Sequence, residues 1–284
     1  MVSVANKQRG FTLVELVTVI VLLGIVALAS TQFIGQGMSI FVDTSRRDSL
    51  QQEGRFVVER ITREVRNALP GSVRTSGDCL EFIPVVAGSG HIDTISGGSI
   101  ASFRAANFSF PNCASGSNCD FSGQGYRVAV YTVDSASVYP LAPPQIADLD
   151  SISAVASGVR VVTLDAAAPG HLFARESPQR RFYLIKDRVS FCAVDGALTR
   201  HSSYTSAGSL QPSPPTGGNA SLLSESIRVI DSGVSPAVAI TVFDFTAGTL
   251  QRAGAVHMNL HFLNAKASDE WVRFSQEVLM RHAP

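Results

Sequence analysis

The sequence predicts an α+β protein: one long amino-terminal helix packed on an antiparallel β-sheet head. Three observations carry that expectation. Residues 11–34 are almost all apolar. Residues 43–69 are rich in charge, with an apolar residue every three or four positions. From Gly71 onward, short runs rich in β-branched residues alternate with Gly, Ser and Pro. The chain then reads as a short leader over 1–10, a helix over 11–70 and a globular head over 71–284. The helix itself has a membrane-length part at 11–34 and an amphipathic part at 43–69.

Composition narrows the function before any motif is considered. The 284 residues are 45 % hydrophobic and only 16 % charged, a balance that points to burial, a membrane segment or subunit contacts. Lys and Arg number 23, and Asp and Glu also number 23. That equality offers no basic surplus for nucleic acid and no polybasic patch for a lipid surface.

As a helix, Phe11 to Ile34 would be ~36 Å long, enough to cross a hydrocarbon core of roughly 30 Å. Lys7 and Arg9 precede it. The positive-inside rule keeps that end cytoplasmic and exports the rest. A conventional signal peptide accounts for part of the same pattern. Leu16–Leu28 would be its apolar region and Ala27-Leu28-Ala29 its cleavage site, releasing a secreted or periplasmic binding protein or hydrolase after Ala29. Two features weigh against it. Glu15 is the only charged residue between Arg9 and Asp43, where an ionised group is costly in lipid and needs a partner. The helical pattern also continues well past residue 30.

The stretch "RGFTLVEL" leading into this apolar helix resembles the class III leader of type IV prepilins and pseudopilins. The resemblance implies a processing signal at Lys7, Arg9, Gly10 and Phe11. A prepilin peptidase would cut after Gly10 and N-methylate Phe11. It also implies a role for Glu15, which would neutralise the new amino terminus of a neighbouring subunit during assembly. The partners so implied are the prepilin peptidase, the major pilin and other minor pilins, an inner-membrane assembly platform and membrane lipid. The location would be a single pass of the bacterial inner membrane with a periplasmic head, then the pilus. The fold would be pilin-like. Pseudopilins of type II secretion carry the same leader and are the near alternative.

In the helix, Gly35 and Gly37 of "GQGMSIFV" each cost about 1 kcal/mol relative to Ala and predict a weak or bent point. Beyond them Leu50, Val57, Ile61, Val65 and Ala68 or Leu69 form one apolar face. Arg55, Glu59 and Arg63 make a charge ladder, as do Arg60 and Glu64, of the kind most often found on a solvated face. Pro70 and Gly71 are expected to stop the helix. "RFVVERITREVRNALPGSVR" (55–74) and the closing "QEVLMRHAP" (276–284) resemble a group of minor pilins with a large head.

The head's strand-like runs are "CLEFIPVV", "YRVAVYTV", "GVRVVTL", "FYLI", "VSFCAV", "SIRVI", "AITVFDF", "AVHMNLHFL" and "WVRFSQEVLM". Asp195-Gly196 signals a type I′ hairpin. A second hairpin is expected around "NAKASDE". Residues 87–99, 111–125, 140–157 and 203–221 read as loops. Four cysteines suit two disulfides in an exported domain, with three connectivities possible. The favoured pairs are Cys113–Cys119, closing "CASGSNC", and Cys79–Cys192, joining two strands.

No metal or other cofactor is expected. His257 and His261 lie on an alternating run, so as strand residues they would be ~13 Å apart, too far to share an ion. Asp148 and Asp150 in "ADLDS" lack EF-hand spacing. The sequence has no nucleophile elbow, Walker loop, dinucleotide fingerprint or HExxH, which argues against an enzyme.

Overall fold

The computed structural model describes residues 12–139, 144–165, 170–204, 214–231, 238–248, 252–264 and 267–280. It is an α+β arrangement of one long, largely apolar amino-terminal helix and a set of antiparallel sheets. Helix α1 runs Leu13–Arg66. The chain divides after Leu50 into two compact units, Met1–Leu50 and Gln51–Pro284.

In the first unit every residue from Thr12 to Phe41 is exposed. The helix continues through Gly35 and Gly37. A methyl group at either glycine would meet nothing within 4 Å, so neither is needed for close packing inside this chain.

In the second unit the remaining helical residues bury one face. Gly54, Val57, Ile61 and Val65 are buried, while Arg55, Glu59, Arg63 and Arg66 are exposed. Arg63 Nη2 donates to Glu59 Oε1 at 2.7 Å, an exposed pair contributing about 0.3–0.5 kcal/mol. Glu64 is bound differently. It accepts from Arg60 Nε at 2.6 Å and from Arg200 Nε at 3.0 Å, so this rung of the ladder ties the helix to the head rather than to solvent.

The helix ends at Arg66, short of the expected Leu69. The cause is competition from the head. Leu69 N–H donates to Ile83 O at 2.8 Å, and Val85 N–H donates to Asn67 O at 2.8 Å. Those bonds draw the chain into a bridge between Ala68 and Pro84 before Pro70 can act as a stop.

The strands are, in chain order, β1 (Arg74–Thr75), β2 (Cys79–Phe82), β3 (Val85–Gly90), β4 (Ser102–Ala106), β5 (Cys119–Asp120), β6 (Arg127–Ala129), β7 (Ile146–Ile152), β8 (Val159–Leu164), β9 (Arg181–Ile185), β10 (Val189–Val194), β11 (Ala197–Ser202), β12 (Asn219–Ser224), β13 (Ile230–Asp231), β14 (Val238–Ala239), β15 (Phe243–Thr246), β16 (Ala255–Asn264) and β17 (Ala267–Leu279). They form several sheets instead of one. A five-stranded sheet has the order β1-β2-β10-β11-β12, and a three-stranded sheet β15-β16-β17. A seven-stranded sheet follows β3-β9-β6-β7-β8-β4, with β5 paired to β7. The pair β13-β14 stands apart, so "SIRVI" contributes only its end to a strand.

Asp195 (φ 52°) and Gly196 (φ 81°) make the turn between β10 and β11, both in the left-handed region that a type I′ turn requires. β16 and β17 pair out to Asn264↔Ala267, and residues 265–266 of their connection lie outside the described residues.

Four loop expectations need correction. Residues 140–157 contain β7, which pairs with β5, β6 and β8. Its apolar positions do not keep a strict period of two because the register slips between Leu149 and Ser151. β3 reaches Gly90 inside 87–99, β5 falls inside 111–125, and β12 begins at Asn219 inside 203–221. Strand β4 had no strand signal, since "SFRAA" offers only Phe103 and Ala105 to the core.

One core cluster lies under the seven-stranded sheet. Phe182 meets Phe103 at 5.1 Å and Phe108 at 5.7 Å between ring centres, both edge to face. Each such fully buried ring contributes roughly 1.5–3 kcal/mol. A second cluster of Leu69, Ile83, Val85, Tyr139 and Tyr183 gathers where the chain leaves the helix.

Gly54 tests the helix packing. A methyl group there would stand 2.1 Å from Phe274 Cε2 of β17. Gly54→Ala gains about 1 kcal/mol of helix propensity but forces overpacking of about 1–3 kcal/mol. We expect a lower melting temperature of the detergent-solubilised chain by circular dichroism. Combining it with Phe274→Ala should abolish the penalty. A melting temperature above wild type for Gly54→Ala alone would contradict the packing.

Candidate functional site

The amino-terminal segment is built from Thr12 outward. Thr12 precedes the helix, and its side-chain Oγ1 accepts from Glu15 N–H at 3.3 Å. Its carbonyl accepts from Glu15 N–H at 3.1 Å and Leu16 N–H at 3.2 Å. That is N-cap geometry, satisfying backbone donors that have no partner within the helix. Glu15 therefore sits in the first turn, where the positive end of the helix dipole favours a carboxylate.

The side chain of Glu15 makes no ion pair or hydrogen bond among the described residues. Around it Leu13, Val14, Leu16 and Val17 are 50–78 % exposed. The helix is long and apolar enough to cross a membrane, and its most apolar stretch is not buried anywhere in the chain. This is a surface of lipid-facing character carrying one carboxylate. Lys7, Arg9, Gly10 and Phe11 lie outside the described residues.

Residues 5–31 match the family model described as the prokaryotic N-terminal methylation motif. The match supports a type IV pilin or pseudopilin type of protein, a class built for assembly rather than catalysis, and with the apolar helix it supports membrane anchoring. It covers the segment that holds Gly10, Phe11, Thr12 and Glu15 and leaves the head untouched. No curated protein and no solved structure matches the chain.

Among the described residues the head offers no comparable site. Among the described residues no group of three His, Cys, Asp or Glu is placed to hold a metal ion. His257 and His261 are on strand β16, where His261 stacks on Trp271 at 4.8 Å. Asp148 and Asp150 belong to strand β7, not to a loop. Asp148 is opposite Arg127, and Asp150 Oδ2 accepts from Ser151 Oγ at 3.0 Å. A groove of about 550 Å³ lies beside Glu59, Arg63, Asn67 and Pro84, and it gathers no nucleophile with a base.

A buried polar cluster under the five-stranded sheet is closed. Arg74 Nε donates to Glu81 Oε1 at 2.8 Å, Tyr204 O–H donates to Glu81 Oε2 at 2.8 Å, and Ser190 pairs with the Tyr204 hydroxyl. Burial, and then the Glu81 charge, pushes the Tyr204 and Tyr139 phenols up, so both remain donors at ordinary pH.

Two disulfides staple the head. Cys79 joins Cys192, its direct opposite on β10, across a sequence separation of 113. Cys113 joins Cys119 across a separation of 6. Two residues escaped the sequence reading. Thr12 was signalled by the T-x-x-E spacing of a capping box in "TLVE". Arg160 was signalled by the alternation of "VRVVTL", which turns it inward with Val162 and Leu164.

The disulfides should differ in weight. Replacing Cys79 and Cys192 by Ala should cost about 5 kcal/mol and replacing Cys113 and Cys119 about 2 kcal/mol, if loop entropy in the unfolded chain dominates. Urea denaturation midpoints of the two double variants check this. An equal loss from both would contradict the loop-entropy account.

Proposed function

We propose that this chain is a minor type IV pilin, resembling MshO of the mannose-sensitive haemagglutinin (MSHA) pilus system. A prepilin peptidase cuts after Gly10 and methylates Phe11. The helix holds the subunit in the inner membrane with its head in the periplasm. The subunit then joins a pilus, or the complex that primes one, beside the major pilin and other minor pilins.

The observation that carries this reading is the methylation-motif match over residues 5–31, continued by an exposed apolar helix with a lone carboxylate in its first turn. The chemistry supplies the assembly contact. Cleavage makes a charged amine on Phe11. In lipid, a carboxylate and an ammonium are each expensive alone and attract strongly together. Glu15 of one subunit and the Phe11 amine of its neighbour thereby favour one axial stagger.

Mass spectrometry of the mature amino terminus tests the processing. N-methyl-Phe11 is expected, and a chain starting at Ser30 would overturn the reading in favour of a signal peptide. Glu15→Ala should leave cleavage intact while lowering recovery in sheared filaments by at least about tenfold, the scale of a lost charge contact of ~1.4 kcal/mol or more. Normal recovery would remove Glu15 from the assembly role. Deletion of the gene separates the two systems: loss of pili supports the pilin, whereas loss of protein secretion with pili intact assigns the chain to the type II pseudopilins.

A further inference from the structure

The two disulfides differ in what surrounds them. Cys79 and Cys192 are 2 % and 1 % exposed, sealed between β2 and β10. Cys113 is 7 % exposed, but its partner Cys119 is half-buried at the start of β5. A thiol from solvent can therefore approach Cys119, while the other three sulfurs are covered.

Beside Cys113 stands Arg160 of β8. Alternation along this strand puts Arg160, Val162 and Leu164 on the core side, and the guanidinium is 0 % exposed. Nη1 lies 3.5 Å from Cys113 Sγ, and Nη2 donates to Ala114 O at 2.9 Å. Cζ is 5.6 Å from the centre of the Phe108 ring. Among the described residues no carboxylate pairs with this cation. A fully buried guanidinium held by a carbonyl, a ring face and a neutral sulfur lacks the anion that interior charges normally have.

Opening the bond would supply that anion. We propose that Cys113–Cys119 is a thiol-exchange site of fixed direction. The thiolate of a small thiol or thiol peptide attacks Cys119 Sγ. A new sulfur–sulfur bond forms there as the bond to Cys113 breaks. The electron pair leaves on Cys113 as a thiolate facing Arg160, and the product is a mixed disulfide on Cys119. Atoms and electrons balance without a further oxidant or reductant. Exchange is faster when the leaving sulfur is the better-stabilised thiolate, which selects Cys113 as leaving group.

The surrounding structure keeps the leaving sulfur in place. Cys119 and Asp120 remain paired with Ile152 and Ser151 of β7. Asn118 Oδ1 accepts from Ala154 N–H at 2.7 Å, and Ser115 O accepts from Val155 N–H at 2.8 Å. None of these bonds involves a sulfur, so they would hold the loop with the disulfide open. The head thus carries one covalent attachment point for thiol-bearing molecules, independent of the amino-terminal segment and of the assembly reading.

The test uses the full chain in detergent micelles with reduced glutathione. Early time points are quenched with iodoacetamide in denaturant, which exposes Cys113, then digested and read by mass spectrometry. Glutathione on Cys119, a carbamidomethyl group on Cys113 and an intact Cys79–Cys192 are expected. Glutathione on Cys113, equal adducts on both, no adduct, or earlier opening of Cys79–Cys192 would each overturn the proposal. Arg160→Gln should slow the exchange at least tenfold, and an unchanged rate would exclude Arg160. Because that variant removes a core residue, Cys119→Ser gives an independent reading. Alkylation of its free Cys113 should show a pH midpoint below the usual thiol value of about 8.5. A midpoint at or above that value would overturn the role of Arg160.

Discussion

An α-helix closes its backbone hydrogen bonds within itself, and this property underlies everything the amino-terminal segment can do. From Thr12 to Phe41 the side chains are exposed and mostly apolar, so the backbone could not rely on water if lipid surrounded it. The same element continues as Gln51–Arg66 in the second unit with a different surface. There only the stripe through Gly54, Val57, Ile61 and Val65 is buried, and Arg55, Glu59, Arg63 and Arg66 are exposed. One secondary structure carries two kinds of surface because side chains alone set the preference. The helix ends only where something else offers better bonds to its backbone, which the bridge from Asn67 and Leu69 to Val85 and Ile83 does.

The head keeps ionised groups inside and balances them in two ways. Under the five-stranded sheet, Arg74 and Glu81 neutralise each other, and the hydroxyl of Tyr204 fills the remaining acceptor site on Glu81. Such a pair is weak evidence for stability, since well-packed apolar groups can do as well, yet removing one member leaves a charge stranded. It does fix which residues of β1 and β2 face each other, because Arg74↔Glu81 is also the register of that pair. Among the described residues Arg160 has no carboxylate partner, and its neighbours are the Ala114 carbonyl, a sulfur and an aromatic ring.

How far the sequence revealed this arrangement depended on the length scale of the signal. The long apolar and amphipathic stretches defined the helix because many residues repeat one pattern. Asp195-Gly196 located a hairpin because few residues tolerate two successive positive φ values. β7 was hidden because a bulge breaks its alternation, and because Asp148 and Asp150 look like loop residues until Arg127 and Ser151 are placed beside them. The end of the helix was misjudged by a few residues since the deciding bonds come from Ile83 and Val85, distant in sequence. The methylation motif over residues 5–31 was legible in the sequence, and the Thr12 cap had its own signal in the T-x-x-E spacing. Arg160 could be placed facing inward from alternation, whereas its contact with Cys113 comes from pairing elements some fifty positions apart and has no local trace.

Glu15 brings the local and the assembled scales together. A carboxylate in the middle of a lipid-spanning helix would carry the full desolvation cost. In the first turn it carries less, because the helix dipole presents partial positive charge there and Thr12 closes the end of the backbone. The intrachain arrangement thus makes the charge tolerable without satisfying it, since no cation among the described residues reaches it. A residue in that state gains little from its own fold and, under the proposed assembly, would gain much from a cation brought by a second subunit. If Glu15 were only a capping residue, Gln would serve nearly as well at the third helical position, where the capping-box preference accepts either. Charge is what Gln lacks, so Glu in place of Gln is the chemical difference that an intersubunit amine would read.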